Sequence, residues 1–136
     1  MAFYPAYLSP AFEYQENHLK QLPKASFDTI FEYLNTLKET NYKKGFMNSE
    51  TGKSLHRTLI QQGIIFSSPW MEWEPGLINI KNTSFDYSDA SFLEISMYIT
   101  AIFNADRSHP GIIERNFQNG TLDKIFRRLK EFMPEK

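Results

Sequence analysis

The side chains best suited to chemistry lie close together near residue 110. They comprise two carboxylates, one imidazole and two guanidinium groups: Asp106, Arg107, His109, Glu114 and Arg115. Opposite charges that are close together and partly buried shift each other's pKa values, which suits such groups to anion binding or proton transfer. In the alternative interpretation, Asp106 and Arg107 only cap helix ends and bridge neighbouring elements. The sequence favours this second interpretation and leaves both open.

The other motifs associated with catalysis or metal binding are incomplete. Residues 52–54 read Gly-Lys-Ser, like the end of a phosphate-binding loop, but Met47 stands where that motif needs glycine. A helix that begins there still has free N–H groups that attract anions. His18, His56 and His109 have no spacing that places two metal ligands on one helical face. We therefore predict no metal site, no cofactor and no recognised catalytic signature.

Trp70 and Trp73 form a candidate aromatic surface. They are three residues apart, so on a helix they share one side. Exposed tryptophans indicate a binding surface, whereas buried ones close the core. Because the chain contains twelve Phe and seven Tyr besides these two Trp, we favour burial.

Composition argues against several classes of partner. Fifteen basic and sixteen acidic residues give a net charge of -1, so no strong field attracts nucleic acid or an anionic membrane. The most apolar stretch, residues 92–103, is shorter than the roughly 20 residues that cross a bilayer, and the opening residues do not resemble a signal peptide. With no cysteine, the chain needs no oxidising compartment. We expect a cytoplasmic protein that binds neither membrane nor nucleic acid.

The elements that position these residues are predicted to be helices. The chain contains no valine, which disfavours strands. Apolar residues at helical spacing predict helices at 26–39 and 121–133, with Ser26 and Thr121 as their N-caps. Three shorter helices are also predicted. The first runs from Ser49 or Thr51 to Gly63, the second has Pro75 in its first turn and ends at about Asn82, and the third runs from Pro110 to residue 119. Residues 89–105 are apolar nearly all round, which is typical of a buried helix.

We therefore predict an all-α fold: an irregular bundle of five or six helices around a buried helix at about 89–105, with helices 26–39 and 121–133 packed against it. Residues 1–136 are expected to form a single helical domain. Residues 1–25, which carry three prolines and scattered aromatics, are expected to be an N-terminal arm that is either extended or folded as a short helix.

Several short motifs in the C-terminal half resemble those of a known family. They are Asp106-Arg107 followed by Gly111, then Phe117 with Asn119-Gly120, the Arg-Arg-Leu helix ending at Leu129, and the upstream segment 70–73. These motifs are similar to domain of unknown function 6508, an uncharacterised bacterial family. The resemblance implies a helical bacterial domain and draws attention to Asp106 and Arg107, and it implies no particular chemistry.

Two functional hypotheses follow. The first is a small cytosolic binding or protein-interaction module of bacterial type, with a protein partner or self-association, based on the many aromatic residues and the missing catalytic signature. The second is a small enzyme or anion-binding protein that uses the polar cluster at the 104–115 helix junction. The second requires those side chains to converge on an open cleft.

Overall fold

The computed structural model describes residues 9–135, with side chains from Phe12 onward. Seven α-helices lie within this range: α1 (Ser9–Lys20), α2 (Lys24–Glu39), α3 (Glu50–Gln61), α4 (Glu74–Lys81), α5 (Phe92–Ala105), α6 (Ile112–Gln118) and α7 (Thr121–Lys130). Single turns of 3-10 helix, Phe46–Asn48 and Trp70–Glu72, lie shortly before α3 and α4. No strand occurs among residues 9–135, and the predicted all-α class is confirmed.

Helix α1 makes the count seven, where five or six helices were predicted. It lies inside the segment predicted to be an N-terminal arm, for which an extended chain and a short helix were the two alternatives. The structure shows the short helix, at residues 9–20. Residues 1–8 of that arm lie outside the described residues. Phe12 and Leu19 are buried, and α1 packs against α5. The second half of the predicted arm is therefore part of the core.

Helix α5 is the centre of the fold, as predicted. Its buried residues run without a break from Ile95 to Phe103, and α1, α4, α6 and α7 pack around it. The helix begins at Phe92, three residues later than expected, because Ser91 and Glu94 form a capping box. The Ser91 hydroxyl accepts a hydrogen bond from the Glu94 backbone N–H at 3.1 Å, and the Glu94 carboxylate accepts one from the Ser91 N–H at 2.9 Å.

Helix α2 packs mainly along α3, so the prediction that helix 26–39 packs against α5 was wrong in its main partner. It meets α5 at its N-terminal end, where the Phe27 and Phe92 ring centroids are 6.0 Å apart. Ser26 was also wrongly predicted to be its N-cap. The helix begins earlier, after Pro23. The buried Ser26 hydroxyl instead donates to the Gln62 side chain at 2.5 Å, which ties α2 to the end of α3.

The other two predicted caps have different outcomes. Ser49 is confirmed as the N-cap of α3, because its hydroxyl accepts from the Gly52 N–H at 3.1 Å. Thr121 is not the N-cap of α7. Gly120 holds that position with a φ of 87°, and the Asn119 side chain accepts from the Thr121 N–H at 3.0 Å. Asn119 thus provides the capping oxygen that we had assigned to Thr121.

The connection between α3 and α4 is held by polar side chains from two helices. Ser96 of α5 donates its hydroxyl proton to the Ile64 carbonyl at 2.5 Å, and Thr100 accepts from the Phe66 N–H at 3.2 Å. Gln15 of α1 donates to the Ser96 hydroxyl at 3.1 Å. Ser96 and Thr100 are fully buried. These bonds satisfy backbone groups that have no helix or sheet partner.

Candidate functional site

The predicted polar cluster does not form one site, because α6 divides it. His109 and Arg115 line a groove between α6 and α4. Asp106 lines a separate cleft that faces α3. Glu114 lies on α6 toward the 46–48 turn, and Arg107 is exposed at the end of α5. The structure therefore gives two concave surfaces, each holding part of the predicted cluster.

Asp106 has a structural role at the beginning of α6. Its Oδ1 atom accepts hydrogen bonds from the backbone N–H groups of Gly111 at 3.1 Å and Ile113 at 3.2 Å. The first N–H groups of a helix have no partner within the helix, so a carboxylate placed there supplies one. One oxygen atom of Asp106 serves both donors.

Glu114 connects α6 to the turn that precedes α3. Its Oε1 atom accepts from the Gly45 N–H at 2.9 Å, and its Oε2 atom accepts from the Met47 N–H at 3.1 Å. Bonds between a carboxylate and backbone N–H groups are charge-assisted and stronger than neutral ones. Both oxygens of Glu114 are therefore committed to holding the Phe46–Asn48 turn.

The larger concave surface is a groove with a volume of about 640 Å³. Its apolar lining comes from α4, α5 and α6: Leu77, Ile80, Ala101, Ala105, Ile102 and Ile112. Trp70 and Met71 of the 70–72 turn complete one side. Met71 is 71% exposed, so its flexible apolar side chain is in contact with water at the edge of the groove.

All ionisable side chains that line this groove are basic: Lys81, His109 and Arg115. No acidic side chain lines it. Neither Lys81 nor Arg115 makes an ion pair or a side-chain hydrogen bond with any residue that the structure describes. Cations without a carboxylate partner at the edge of an apolar groove create a local positive potential.

The two tryptophans have different surroundings. Trp73 is only 7% exposed, and its ring centroid lies 4.7 Å from that of Tyr98. The ring packs directly on Gly76, where a Cβ atom would lie 2.2 Å from it. Trp70 is half-buried and lines the groove. The 3-10 turn ends at Glu72 and α4 begins afterwards, so the three-residue spacing does not place both rings on one side. Trp73 belongs to the core rather than to an aromatic surface.

The second concave surface is a cleft of about 380 Å³ between α3 and the end of α5. Its charged and polar side chains include Lys53, His56 and Arg57 of α3. The His56 ring packs edge-on against Phe103, with 5.1 Å between centroids. Burial lowers the pKa of His56 below its usual value of 6.5, although the nearby Asp106 acts in the opposite direction.

The grouping of α3 with Asp106 was not predicted from the sequence. Residues 53, 56 and 57 lie three and four positions apart, so they share one helical face. This shared helical face could have been predicted from the spacing of the three residues in the sequence. What the sequence did not indicate is that the α3 face lies opposite residue 106, because this contact joins segments about fifty residues apart.

The lowered pKa of His56 predicts a pH dependence of stability. The unfolded chain binds a proton at His56 more readily than the folded chain in the pH window from about 6.5 downward to the lowered pKa. Across that window, the free energy of unfolding is therefore expected to rise with pH. Urea unfolding of the wild type and of His56→Gln at a series of pH values would measure this. The free energy of unfolding of the variant should rise less steeply with pH than that of the wild type. An equal rise in both proteins would contradict a lowered pKa of His56.

The described residues also bear on membranes and metals. None of the helices within residues 9–135 combines the length and apolar content needed to cross a lipid bilayer. In the same part of the chain, no three His, Asp or Glu side chains are grouped so as to hold a metal ion.

Comparison with known proteins gives one match. The model of a family described as a family of unknown function, DUF6508, matches residues 32–135. The match covers helices α3 to α7 and the second half of α2, and so includes both concave surfaces. No curated protein and no solved structure matches the chain.

Proposed function

We propose that this chain, which belongs to the DUF6508 family, binds a small amphipathic anion in the groove beside α6. The ligand class is a molecule with an apolar or aromatic body and one carboxylate group. The observation that carries the proposal is the lining of the groove, in which apolar side chains are accompanied by cations and by no acidic side chain. The proposal joins the predicted binding module to the anion-binding alternative.

The size of the groove suits a ligand of this class. Small-molecule sites are concave, have volumes of about 300 to 1,000 Å³, and are mostly apolar with a few polar groups that orient the ligand. An aromatic body that buries about 150 Å² of apolar surface gains roughly 4 kcal/mol before the costs of association. The apolar lining therefore supplies most of the expected affinity.

The basic side chains supply selectivity for charge. Lys81 and Arg115 reach the groove from opposite sides, α4 and α6. A partly exposed ion pair contributes about 1 kcal/mol or less, so two cations discriminate an anion from its neutral analogue by about tenfold. Arg115 can donate two parallel hydrogen bonds to a carboxylate, which Lys81 cannot. We assign the main orienting role to Arg115.

A matched pair of fluorescent probes tests the proposal. Anilinonaphthalene sulfonate and neutral phenylnaphthylamine share an aromatic body, and only the first carries an anionic group. We expect the anionic probe to bind about tenfold more tightly. The double variant Lys81→Gln/Arg115→Gln should remove that preference while leaving the neutral probe nearly unaffected. Fluorescence titration measures both affinities.

Two controls show whether the probes occupy the groove. The variant Lys38→Gln/Arg127→Gln removes the same charge from exposed positions outside the groove, and it should bind like the wild type. Ala105→Phe places a ring in the groove and should weaken both probes, with circular dichroism confirming that the helices are retained. Equal binding of the two probes by the wild type, or unchanged binding by Ala105→Phe, would refute the proposal.

The location of the protein and its macromolecular partners are also proposals. A bacterial cytoplasm is supported by the absence of cysteine in the sequence and by the family resemblance of the C-terminal half. A protein partner or self-association stays a prediction, as does the expectation that nucleic acid is not bound.

A further inference from the structure

We propose a second binding site, in the cleft between α3 and the end of α5, for a phosphomonoester with a small apolar or aromatic body. This site is separate from the groove, because the two surfaces share no lining residue and lie on different faces of α6. It therefore neither depends on the proposed function nor restates it.

The charge of the cleft favours a dianion. Lys53 and Arg57 line it, and Arg107 lies close enough to His56 to influence the pKa of that imidazole. Asp106 is the one acidic side chain in the lining. The lining therefore carries a net charge of +1 from Lys53, Arg57 and Asp106, and Arg107 adds a further positive charge nearby, in a chain whose overall charge is -1.

The carboxylate of Asp106 does not neutralise these cations by direct pairing. Its Oδ1 atom is occupied by the N–H groups of Gly111 and Ile113. No ion pair or side-chain hydrogen bond links Lys53, Arg57 or Arg107 to any residue within the described part of the chain. Isolated cations on a convex helix surface are ordinarily solvated. Here they border a concavity, where the low-dielectric walls strengthen their field.

The walls of the cleft explain why an ester fits better than free phosphate. Met47, Ile60 and Ile113 contribute apolar surface, and Ile60 is 52% exposed. Covering such a side chain with the body of a ligand removes apolar area from water. The phosphate would then face Lys53 and Arg57, which are four residues apart on one face of α3. Arginine can bind two phosphate oxygens at once, and lysine acts as a point charge.

Phenyl phosphate is the probe that combines both features. Inorganic phosphate lacks the ring, and phenol lacks the charge. In nuclear magnetic resonance titrations of the full chain at a fixed, slightly alkaline pH, we expect phenyl phosphate to shift the amide signals of residues 53–57 and 106–107. It should bind at least about fivefold more tightly than either fragment, because both the ring and the charge contribute. A higher salt concentration should weaken the binding of phenyl phosphate, because it screens the charges.

Variants then separate this site from the groove. Lys53→Gln/Arg57→Gln should weaken phenyl phosphate by about tenfold or more. Both positions are exposed, so folding should be retained. In the control Lys38→Gln/Arg127→Gln and in the groove variant Lys81→Gln/Arg115→Gln, the signals of residues 53–57 and 106–107 should report the wild-type affinity. Any of three results would overturn the proposal. Phenyl phosphate could shift only the signals of groove residues, it could bind Lys53→Gln/Arg57→Gln as tightly as the wild type, or it could fail to bind at millimolar concentration.

Discussion

Replacing Glu114 by glutamine is expected to lower the free energy of unfolding by about 2 kcal/mol, whereas replacing Asp106 by asparagine should cost less than about 1 kcal/mol. The difference comes from how each carboxylate uses its oxygens. Glu114 gives one oxygen to each of two N–H groups, so an amide must turn its NH₂ group toward one of them. Asp106 serves both N–H groups with Oδ1, and the amide oxygen of asparagine can replace that atom.

Urea unfolding of the four variants Glu114→Gln, Glu114→Ala, Asp106→Asn and Asp106→Ala measures this. Both alanine variants remove the acceptor of two backbone donors. Glu114→Ala should lose about 2 to 4 kcal/mol, and Asp106→Ala about 1 to 2 kcal/mol, because the Gly111 N–H is exposed and water can replace the carboxylate there. Asparagine should recover most of the loss at position 106, and glutamine only part of it at position 114. Similar costs for the two amide variants would show that the hydrogen bonds at these positions are not as described.

The same variants separate structural from functional roles in the predicted polar cluster. If Asp106 acts only as a cap, Asp106→Asn should fold normally and bind phenyl phosphate slightly more tightly, because one negative charge leaves the cleft. Arg115 presents the opposite case. Its side chain has no partner among the described residues, so its removal should affect ligand binding in the groove far more than stability.

Gly52→Ala is expected to destabilise the protein by about 2 to 3 kcal/mol, although alanine favours a helix by about 1 kcal/mol relative to glycine. Gly52 lies in the first turn of α3, against the Phe46–Asn48 turn. A Cβ atom there would lie 2.6 Å from both the Met47 Cα atom and the Phe46 carbonyl oxygen. Both are backbone atoms, so no side chain can rotate away and the two segments must separate.

Thermal and urea unfolding of Gly52→Ala check this expectation. Lys53→Ala is the neighbouring control, because position 53 is exposed on the same helix and the change should cost less than about 0.5 kcal/mol. A Gly52→Ala protein as stable as the wild type would mean that α3 and the 46–48 turn are farther apart than the structure places them.

The fold was predictable where the pattern is local. Helix α5 is apolar over a long stretch, and α7 carries an apolar stripe, so each indicates a helix without reference to the rest of the chain. The packing of α2 was not predictable in this way. Its apolar face can cover any complementary surface, and nothing in the spacing of Phe27 and Leu34 selects α3 rather than α5 as its main partner.

The candidate site was only partly predictable for the same reason. The sequence drew attention to residues 104–115 because charged side chains are dense there, but it could not show that α6 separates His109 from Asp106. The cleft partner of Asp106 is His56, and only the tertiary fold brings these two residues together. The two Trp residues show the converse error, since a junction between two short helices breaks a spacing that a continuous helix would preserve.

The segment of residues 63–66 has a consequence for how the protein opens. It has no regular secondary structure, yet its backbone is bonded to side chains of α1 and α5 and to the Leu59 carbonyl of α3. Freeing it would remove the carbonyl that accepts the hydroxyl proton of the buried Ser96 and the Phe66 N–H that donates to the buried Thr100. This loop therefore does not belong to the low-stability regions that fluctuate independently, and its exposure coincides with separation of the central helices.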